Sequence, residues 1–411
     1  MPRSDPVRPI GFTEFVALIA SLTALNALAI DAMLPALPQI GTTLAVATDN
    51  QRQWVITAYL LGVSSTQLLY GVLSDRFGRK RILLIGVGLY AAFAIVAAFA
   101  ATFAQLVAAR TLMGAGAAAV QVLAVSLVRD RFSGAQMARV MSLTFMVFLT
   151  APVLAPSIGQ AIMLVSSWRM IFGFLATFSL ILLTWAALRL PETLHEQDRL
   201  PLEPRRIVTA FRTVFGSRTT VGYMFAAASV LGGLFGFINS VQQVFTDIFH
   251  APTRFPLIFA GVAIGMAMAS LLNSRIVVRL GVRFVSHRAL LGFITFGALH
   301  WLVAGSGFET IVTFAVLQAA MMFCFGMVVA NFASIAMEPL GHVAGTGSSI
   351  YGTITLAVGS LLGFVIGQQF DGTAVPLTTG YVVCGVAALV IVLVTERGVL
   401  FGASRATTAD A

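Results

Sequence analysis

Gly71-Val-Leu-Ser-Asp-Arg-Phe-Gly-Arg-Lys-Arg81 decides the fold, because it joins two long apolar runs through a short and strongly basic connection. Such a connection is typical of the cytoplasmic side of a membrane, since Lys and Arg concentrate in short cytoplasmic loops. Gly71 allows two backbones to approach closely, and Gly78 permits a turn with positive φ. Asp75 can accept hydrogen bonds at a helix end. The stretch therefore predicts two membrane-spanning helices joined on the cytoplasmic side.

The composition excludes an ordinary soluble protein. Of the 411 residues, 58% are hydrophobic and only 10% are charged, whereas a soluble domain has about 25% charged residues. The mean hydropathy is +0.93, so the chain is expected to use the lipid bilayer as its solvent. The net charge of +9 could suggest a nucleic-acid partner. However, the basic residues are scattered through short loops, which membrane topology explains better than phosphate binding. We therefore predict no nucleic-acid partner.

Twelve apolar runs have the roughly 20 residues that a spanning helix needs. The predicted spans are 12–36, 53–73, 82–101, 103–128, 137–163, 168–189, 219–246, 255–278, 284–305, 309–334, 343–369 and 376–396. The only long charged segment is 191–218. It predicts a six-helix bundle over 1–190, a cytoplasmic linker over 191–218 and a second six-helix bundle over 219–411.

The distribution of arginine predicts the orientation. With the N-terminus inside, Arg52, Arg169 and Arg254 fall outside and Arg110 lies within a helix, while every other basic residue falls on the cytoplasmic side. The opposite orientation would violate the bias of basic residues towards cytoplasmic loops. We expect a multi-pass membrane protein with both termini in the cytoplasm. The first apolar run is expected to remain as a helix, because no small-residue cleavage site follows it.

The two halves of the chain echo each other. The segment 274–283 repeats the Arg-x-Gly-x-basic rhythm of the first basic loop, with Val278 in the place of Asp75. Repeats related by an axis along the membrane normal predict a substrate site near the midplane between two bundles.

Asp31 is the main candidate for chemistry. The apolar stretch before it is too short to cross a hydrocarbon core about 30 Å thick, so the helix should continue through Asp31 towards Ile40. Pro35 has no N–H to donate to the Asp31 carbonyl, and the helix is therefore expected to bend there. A carboxyl group beside a freed carbonyl suits the lining of a cavity. The alternative is that Asp31 caps a helix that ends early.

Arg110 is the second candidate. Its guanidinium cannot lose its proton, so inside a membrane it needs an acidic partner or water. It precedes a small-residue stretch, 114–119, that is suited to close helix packing. Snorkelling to the outer interface is the alternative. If Asp31 and Arg110 face one cavity, burial favours the neutral acid and the arginine favours the carboxylate. A group balanced in this way could change protonation when the cavity opens to the other side, as proton coupling requires.

Polar or polarisable side chains within the apolar helices are candidates for a substrate cavity. They are Tyr59, Gln67, Met113, Gln121, Asn239, Gln242 and Asn331. Interhelical hydrogen bonding is the alternative role for any one of the polar members. Cys324 and Cys384 lie in apolar runs and are expected to pack, and the five histidines are scattered. We therefore predict no metal site and no cofactor.

Taken together, these motifs resemble the twelve-helix drug:proton antiporters of the major facilitator superfamily, and most of all the Bcr/CflA drug-resistance group. The resemblance covers nearly the whole chain. It rests on the segments 30–38, 53–62, 71–81, 110–114, 151–159, 168–172 and 331–348.

The resemblance implies an all-α polytopic membrane protein that exports small, mostly lipophilic drugs or toxic compounds by alternating access, driven by the proton gradient. Asp31 and Arg110 match the family's coupling acid and its fourth-helix arginine. The loop that latches one global conformation is matched by Gly71, Asp75, Arg76, Gly78 and Arg79. The fifth-helix motif associated with antiport is matched by Pro152, Ala155, Pro156 and Gly159.

The sequence departs from the family pattern at three positions. Ala155 and Gln160 stand where the fifth helix usually has glycine, and Met113 stands where the fourth helix commonly has glutamine. These departures bear on substrate identity more than on the fold.

The expected partners are a small-molecule substrate, protons and the lipid bilayer, with the protein acting as a monomer. One alternative function is a proton symporter or facilitator for a small polar nutrient on the same fold. A membrane enzyme or non-transporting receptor would need a clustered catalytic set, and the sequence does not provide one.

Overall fold

The structure is a computed structural model, and it describes residues 10–194, 197, 199 and 204–401. The predicted cytoplasmic termini, 1–9 and 402–411, lie outside the described residues. Within the described part, the chain forms helices and no strand. The α-helices are α1 (Phe12–Asp31), α2 (Leu37–Thr43), α3 (Trp54–Phe77), α4 (Arg79–Ala98), α5 (Phe103–Arg131), α6 (Gly134–Val165), α7 (Arg169–Arg189), α8 (Pro204–Gly216), α9 (Arg218–Gln243), α10 (Phe255–Leu280), α11 (Val282–Gly305), α12 (Ile311–Met337), α13 (Ala344–Gln368) and α14 (Val375–Thr395).

Twelve helical segments in the described residues are long and apolar enough to cross a membrane. This confirms the predicted number of spans. Helices are required because a bilayer core offers no water to the backbone, so each N–H and C=O group must be paired within the chain. The first span runs over Phe12–Thr43 and combines α1, a 3₁₀ turn at Leu34–Ala36 and α2.

The first compact unit comprises Met1–Val46 and Ala58–Glu203. Within it, α4 packs against α5 and α7, while α1 packs against α6. The predicted small-residue stretch of α5 makes the close contacts. A Cβ at Gly114 would overlap the Tyr59 carbonyl of α3, and a Cβ at Gly116 would meet the Gly86 carbonyl oxygen of α4 at 2.5 Å. Glycine at these positions therefore lets three helix backbones approach one another.

The second compact unit comprises Ala47–Thr57 and Pro204–Ala411. Its α9 packs against α12, α13 and α14, and α11 packs against α12 and α14. Two features differ from the expected boundaries. The start of the second span, Ala47–Thr57, groups with the second unit rather than with the first. The predicted linker contains α8, which contacts α9 and α13 and so belongs to the second unit.

We predict that Gly114→Ala destabilises the folded protein. The added methyl group would meet the Tyr59 carbonyl, and overpacking of this kind costs about 1–3 kcal/mol. Gly261→Ala in α10 is the matched control, because a Cβ there has nothing within 4 Å and alanine is the better helix former. Thermal unfolding of the two purified variants should place only Gly114→Ala below the wild-type midpoint; equal midpoints would contradict the packing argument.

Candidate functional site

Asp31 is the last residue of the regular helix α1. The N–H of Ala32 still donates to the Leu28 carbonyl (3.1 Å), but the chain then changes to a 3₁₀ turn in which Ala36 N–H donates to Met33 (3.0 Å). The predicted disruption near Pro35 is therefore present, and it begins just after Asp31. The regular α-helix does end at Asp31, as the alternative interpretation predicts, but the spanning segment continues to Thr43. Asp31 is 5% exposed, so its carboxyl group is buried at an irregular point of a membrane span.

Arg110 of α5 is fully buried and reaches the same turn of α1. Its Nη2 donates to the carbonyl of Ala29 (3.0 Å), two residues before Asp31. Its guanidinium carbon lies 4.4 Å from the centroid of the Tyr59 ring. The structure therefore places Arg110 inside the helix packing, where it is not snorkelling to an interface. Met113 lies against the same guanidinium, with its sulfur 3.7 Å from Nη1.

Tyr59 links a third helix to this site. Its hydroxyl donates to Asn26 Oδ1 of α1 (2.7 Å), while its ring carries the Arg110 guanidinium. Asn26 Nδ2 in turn donates to the Ala117 carbonyl of α5 (3.5 Å). Our sequence reasoning missed Asn26, although a polar side chain within the apolar part of α1 was a usable signal.

The helix that carries the antiport motif packs directly on the irregular segment. Pro152 and Pro156 lie inside α6. A Cβ at Gly159 would overlap the carbonyl of Ala32, the residue after Asp31. Ala155 is buried. In the first unit, α3, α5 and α6 thus each contact α1 or the turn that follows it near the break in the first span.

The buried side chain of Arg79 holds the basic loop between α3 and α4 through an ion pair and hydrogen bonds. Gly78 has a φ of +97° and stands directly before α4, as its residue type predicts. Arg79 is 5% exposed. Its guanidinium forms an ion pair with Asp75 and donates to Asp130 Oδ2 (3.1 Å) and Ser74 Oγ (2.7 Å).

Glu192, which follows α7, closes the other side of this loop. Its Oε1 accepts from the backbone N–H groups of Arg79 (2.8 Å) and Lys80 (3.4 Å) at the start of α4. A carboxylate at a helix N-terminus is favourable because the helix dipole is positive there. Asp130 and Glu192 were not among the predicted site residues, since nothing local in the sequence pairs them with Arg79. The backbone carbonyl of Gly71 accepts a hydrogen bond from Ser74 Oγ (2.9 Å). Arg76 is exposed.

The repeat predicted for the second half is present in the backbone. Gly281 has a φ of +86° and stands directly before α11, as Gly78 does before α4. Arg283 forms ion pairs with Glu396 (2.9 Å) and Glu338 (3.1 Å). Burial acts to raise the pKa of Glu396, but hydrogen bonds from Arg283 and Tyr223 outweigh burial and leave that pKa below its usual value. The second loop therefore keeps a partly buried arginine, Arg283, held by two glutamates, without an acid at position 278, where Val278 is 84% exposed.

The remaining cavity candidates differ in their surroundings. Asn331 is buried and exchanges two hydrogen bonds with Asn273 (2.7 and 3.3 Å), so interhelical bonding accounts for it. Asn239 donates to the Phe235 carbonyl of its own helix (2.9 Å). Gln242 Nε2 donates to Thr246 Oγ1 (2.8 Å), while Oε1 is buried without a partner among the described atoms. Gln67 is buried and Gln121 is exposed.

A cluster of four neutral amides holds the segment Ala47–Thr57 within the second unit. Gln53 Nε2 donates to Gln243 Oε1 (2.8 Å), and Gln243 Nε2 donates to Asn50 Oδ1 (2.7 Å). Asn50 Nδ2 donates to the Gln368 carbonyl (3.1 Å), and Gln368 Nε2 returns a bond to the Asn50 carbonyl (2.6 Å). We call Asn50, Gln53, Gln243 and Gln368 the amide cluster. The cluster was not predictable from the sequence, because Gln243 and Gln368 lie far along the chain from Asn50 and Gln53.

Metal ligation finds no support in the described residues. They contain no group of three His, Cys, Asp or Glu side chains that could hold an ion. Cys324 and Cys384 are buried free thiols, consistent with a packing role.

Comparison with known proteins agrees with this geometry. The family model described as Major Facilitator Superfamily matches residues 19–364. The chain is 31% identical to a bicyclomycin resistance protein homolog from Haemophilus influenzae over 367 residues, which cover 88% of this chain and 91% of that protein. It is 26% identical to multidrug resistance protein D of Escherichia coli, with 82% and 84% of the two chains covered.

A solved structure of the xylose transporter XylE from E. coli, in a partially occluded inward-open conformation, has the same fold. Its TM-score is 0.71 at 14% sequence identity, and the match covers 93% of this chain and 97% of that one. The family model spans most of the chain and the drug-resistance homolog aligns over nearly its whole length, so this twelve-span protein belongs to the Major Facilitator Superfamily.

Proposed function

We propose that this protein exports small, mostly lipophilic drugs or toxic compounds across the bacterial inner membrane in exchange for protons. The observation that carries the proposal is the buried carboxyl group of Asp31 at the break in the first span, with Arg110 anchored to the same turn. The names of the relatives support a drug as the substrate. The orientation with both termini in the cytoplasm and action as a monomer belong to the same proposal.

The proton-binding step follows from the electrostatics around Asp31. The C-terminal end of α1 carries the negative pole of the helix dipole, which disfavours a carboxylate there. Burial disfavours the charged form as well. We propose that the Arg110 guanidinium, which is bound to the Ala29 carbonyl two residues away, favours the carboxylate when water reaches this turn. A carboxyl group between such opposing influences takes up or releases a proton when its access to water changes.

The protonation state of Asp31 can influence the fold around it. The neutral acid tolerates the dry packing between α1, α5 and α6, while the carboxylate requires water or a cation. Since Gly159 of α6 lies directly against Ala32, hydration of Asp31 must displace or loosen that contact. We propose that this coupling between protonation and helix packing converts the proton gradient into alternating access.

We predict that Asp31→Asn abolishes proton-driven export while the protein stays folded. Asparagine has nearly the same shape but cannot take up or release a proton. The measurement is efflux of a panel of lipophilic dyes and antibiotics from everted vesicles, with and without a protonophore. Asp371→Asn is the matched control, because Asp371 is exposed in the loop after α13. Gradient-driven efflux that survives in Asp31→Asn would overturn the assignment of the coupling acid.

We predict a graded loss at Arg110, with Arg110→Ala more severe than Arg110→Lys and Tyr59→Phe the mildest. Alanine leaves the buried Ala29 carbonyl without its donor, which costs about 1–3 kcal/mol of folding free energy. Lysine keeps the charge but has no planar group to lie over the Tyr59 ring. Tyr59→Phe keeps that ring and loses only the bond to Asn26. Unfolding midpoints and transport rates should follow this order, and equal behaviour of the lysine and wild-type proteins would argue against the proposed role of the guanidinium.

We also propose that the amide cluster restrains the transport cycle, because the segment Ala47–Thr57 continues directly into the rest of α3 in the first unit. All four side chains are uncharged, so the restraint should not depend on the protonation that drives transport. Each net hydrogen bond contributes about 0.5–1.5 kcal/mol. The cluster can therefore hold the segment while still releasing it at thermal energies.

We predict that Gln53→Ala combined with Gln243→Ala exposes the segment. A cysteine at Thr57, which is fully buried, should react with an aqueous maleimide about tenfold faster in this background, since two or more net hydrogen bonds are lost. Gln369→Ala is the control, because Gln369 is exposed. An unchanged labelling rate would exclude the restraint.

A further inference from the structure

α8 presents three distinct sides along its length. Successive residues of an α-helix are rotated by about 100°, which places Ala210 and Val214 on one side, and both are buried. That side is the one that contacts α9 and α13. Arg205 and Arg212 project from roughly the opposite side, and both are exposed.

The third side of α8 is apolar and uncovered. Val208, Phe211 and Phe215 occupy the flank between the buried side and the arginine side. Val208 and Phe215 are each 49% exposed, and the rings of Phe211 and Phe215 stack with their centroids 6.1 Å apart. Exposed valine and phenylalanine beside arginine is the composition of a helix that lies at a membrane interface.

The chain itself brings α8 to the membrane boundary. α8 ends at Gly216, and α9, which begins a spanning segment, starts at Arg218. Arg218 donates to the Val394 carbonyl, close to the end of the last span. Only Ser217 separates the two helices, so the last turn of α8 must lie within a few ångströms of the level where a span enters the bilayer.

The positive charge of α8 favours a membrane surface with anionic headgroups. The sequence of α8 contains three arginines and no acidic residue. α8 also contacts the 3₁₀ turn Glu338–Val343, whose acid, Glu338, is ion-paired with Arg283 (3.1 Å). Arg205 and Arg212 therefore present net positive charge to the surface beside the apolar flank, and that charge is complementary to anionic headgroups.

We propose that α8 is a lipid-binding helix. It inserts the flank formed by Val208, Phe211 and Phe215 into the headgroup region and pairs Arg205 and Arg212 with the phosphates of anionic phospholipids. The binding anchors the segment that leads into α9. This inference does not depend on which compound the protein transports.

The test is hydrogen exchange on the full-length protein in nanodiscs of phosphatidylcholine alone and of an equal mixture with phosphatidylglycerol. Each arginine near an anionic surface contributes roughly a fivefold preference, so amides of 204–216 should exchange about tenfold more slowly in the mixed discs. R205Q/R212Q should reduce this difference to less than about twofold. R254Q is the matched control, because Arg254 is exposed in a different loop, and it should keep the full difference.

The outcomes discriminate between lipid binding and other causes. Equal exchange of 204–216 in both lipids, or a difference that persists in R205Q/R212Q, would overturn the proposal. Loss of the difference in R254Q would also overturn it, since the effect would then reflect total charge. Amides of α9 in the same samples report whether each variant is folded. Hydrogen exchange is measured without transport. A negative result for lipid binding therefore leaves the export proposal standing, and a negative result for export leaves the lipid-binding proposal standing.

Discussion

Hydrogen-bond satisfaction inside a bilayer is the constraint on which the rest of this structure depends. A regular spanning helix pairs its own backbone groups, but a helix that stops within the span leaves its last carbonyls without internal partners. The first span stops being regular at Asp31, and Arg110 donates to Ala29, one of the carbonyls of that last turn. The buried arginine is therefore explained first by the backbone that it satisfies, and its proposed influence on Asp31 rests on the position that this bond imposes.

The surrounding contacts show why such a break is sustained. The Arg110 guanidinium lies over the ring of Tyr59, whose hydroxyl is hydrogen-bonded to Asn26 of α1. Gly159 of α6 packs so closely against the Ala32 backbone that a side chain at this position would overlap it. These contacts come from three different helices of one unit. Under the proposed coupling, a proton bound or released at Asp31 acts on this packing, and packed helices respond to a local charge change by switching between discrete arrangements.

Sequence reasoning was sufficient for features that depend on local chemistry. The twelve spans follow from apolar length, and the positive φ of Gly78 follows from its place in a tight basic turn. Asp31 and Arg110 stood out because ionisable groups are rare inside spans. The partners of these groups were not predictable in the same way. Glu192 lies more than a hundred residues from Arg79 and looks like any acid in a polar linker. The amide cluster likewise combines Asn50, Gln243 and Gln368 from distant parts of the chain, and only the packing of helices brings them together.

The charged side chains at the break in the first span and the neutral side chains of the amide cluster suit two different tasks in the proposed cycle. At the break in the first span the side chains include the acid Asp31 and the charged Arg110, and the proposed coupling depends on the protonation of Asp31. In the amide cluster the bonds are neutral, and the side chains of Asn50, Gln53 and Gln243 each both donate and accept. A transporter needs one element that responds to protons and another that holds a conformation whatever the proton concentration, because a restraint that titrated together with the coupling acid would release at the same step. In the proposed cycle, separating the two in chemistry as well as in sequence allows binding of the proton and release of the restraint to occur in order.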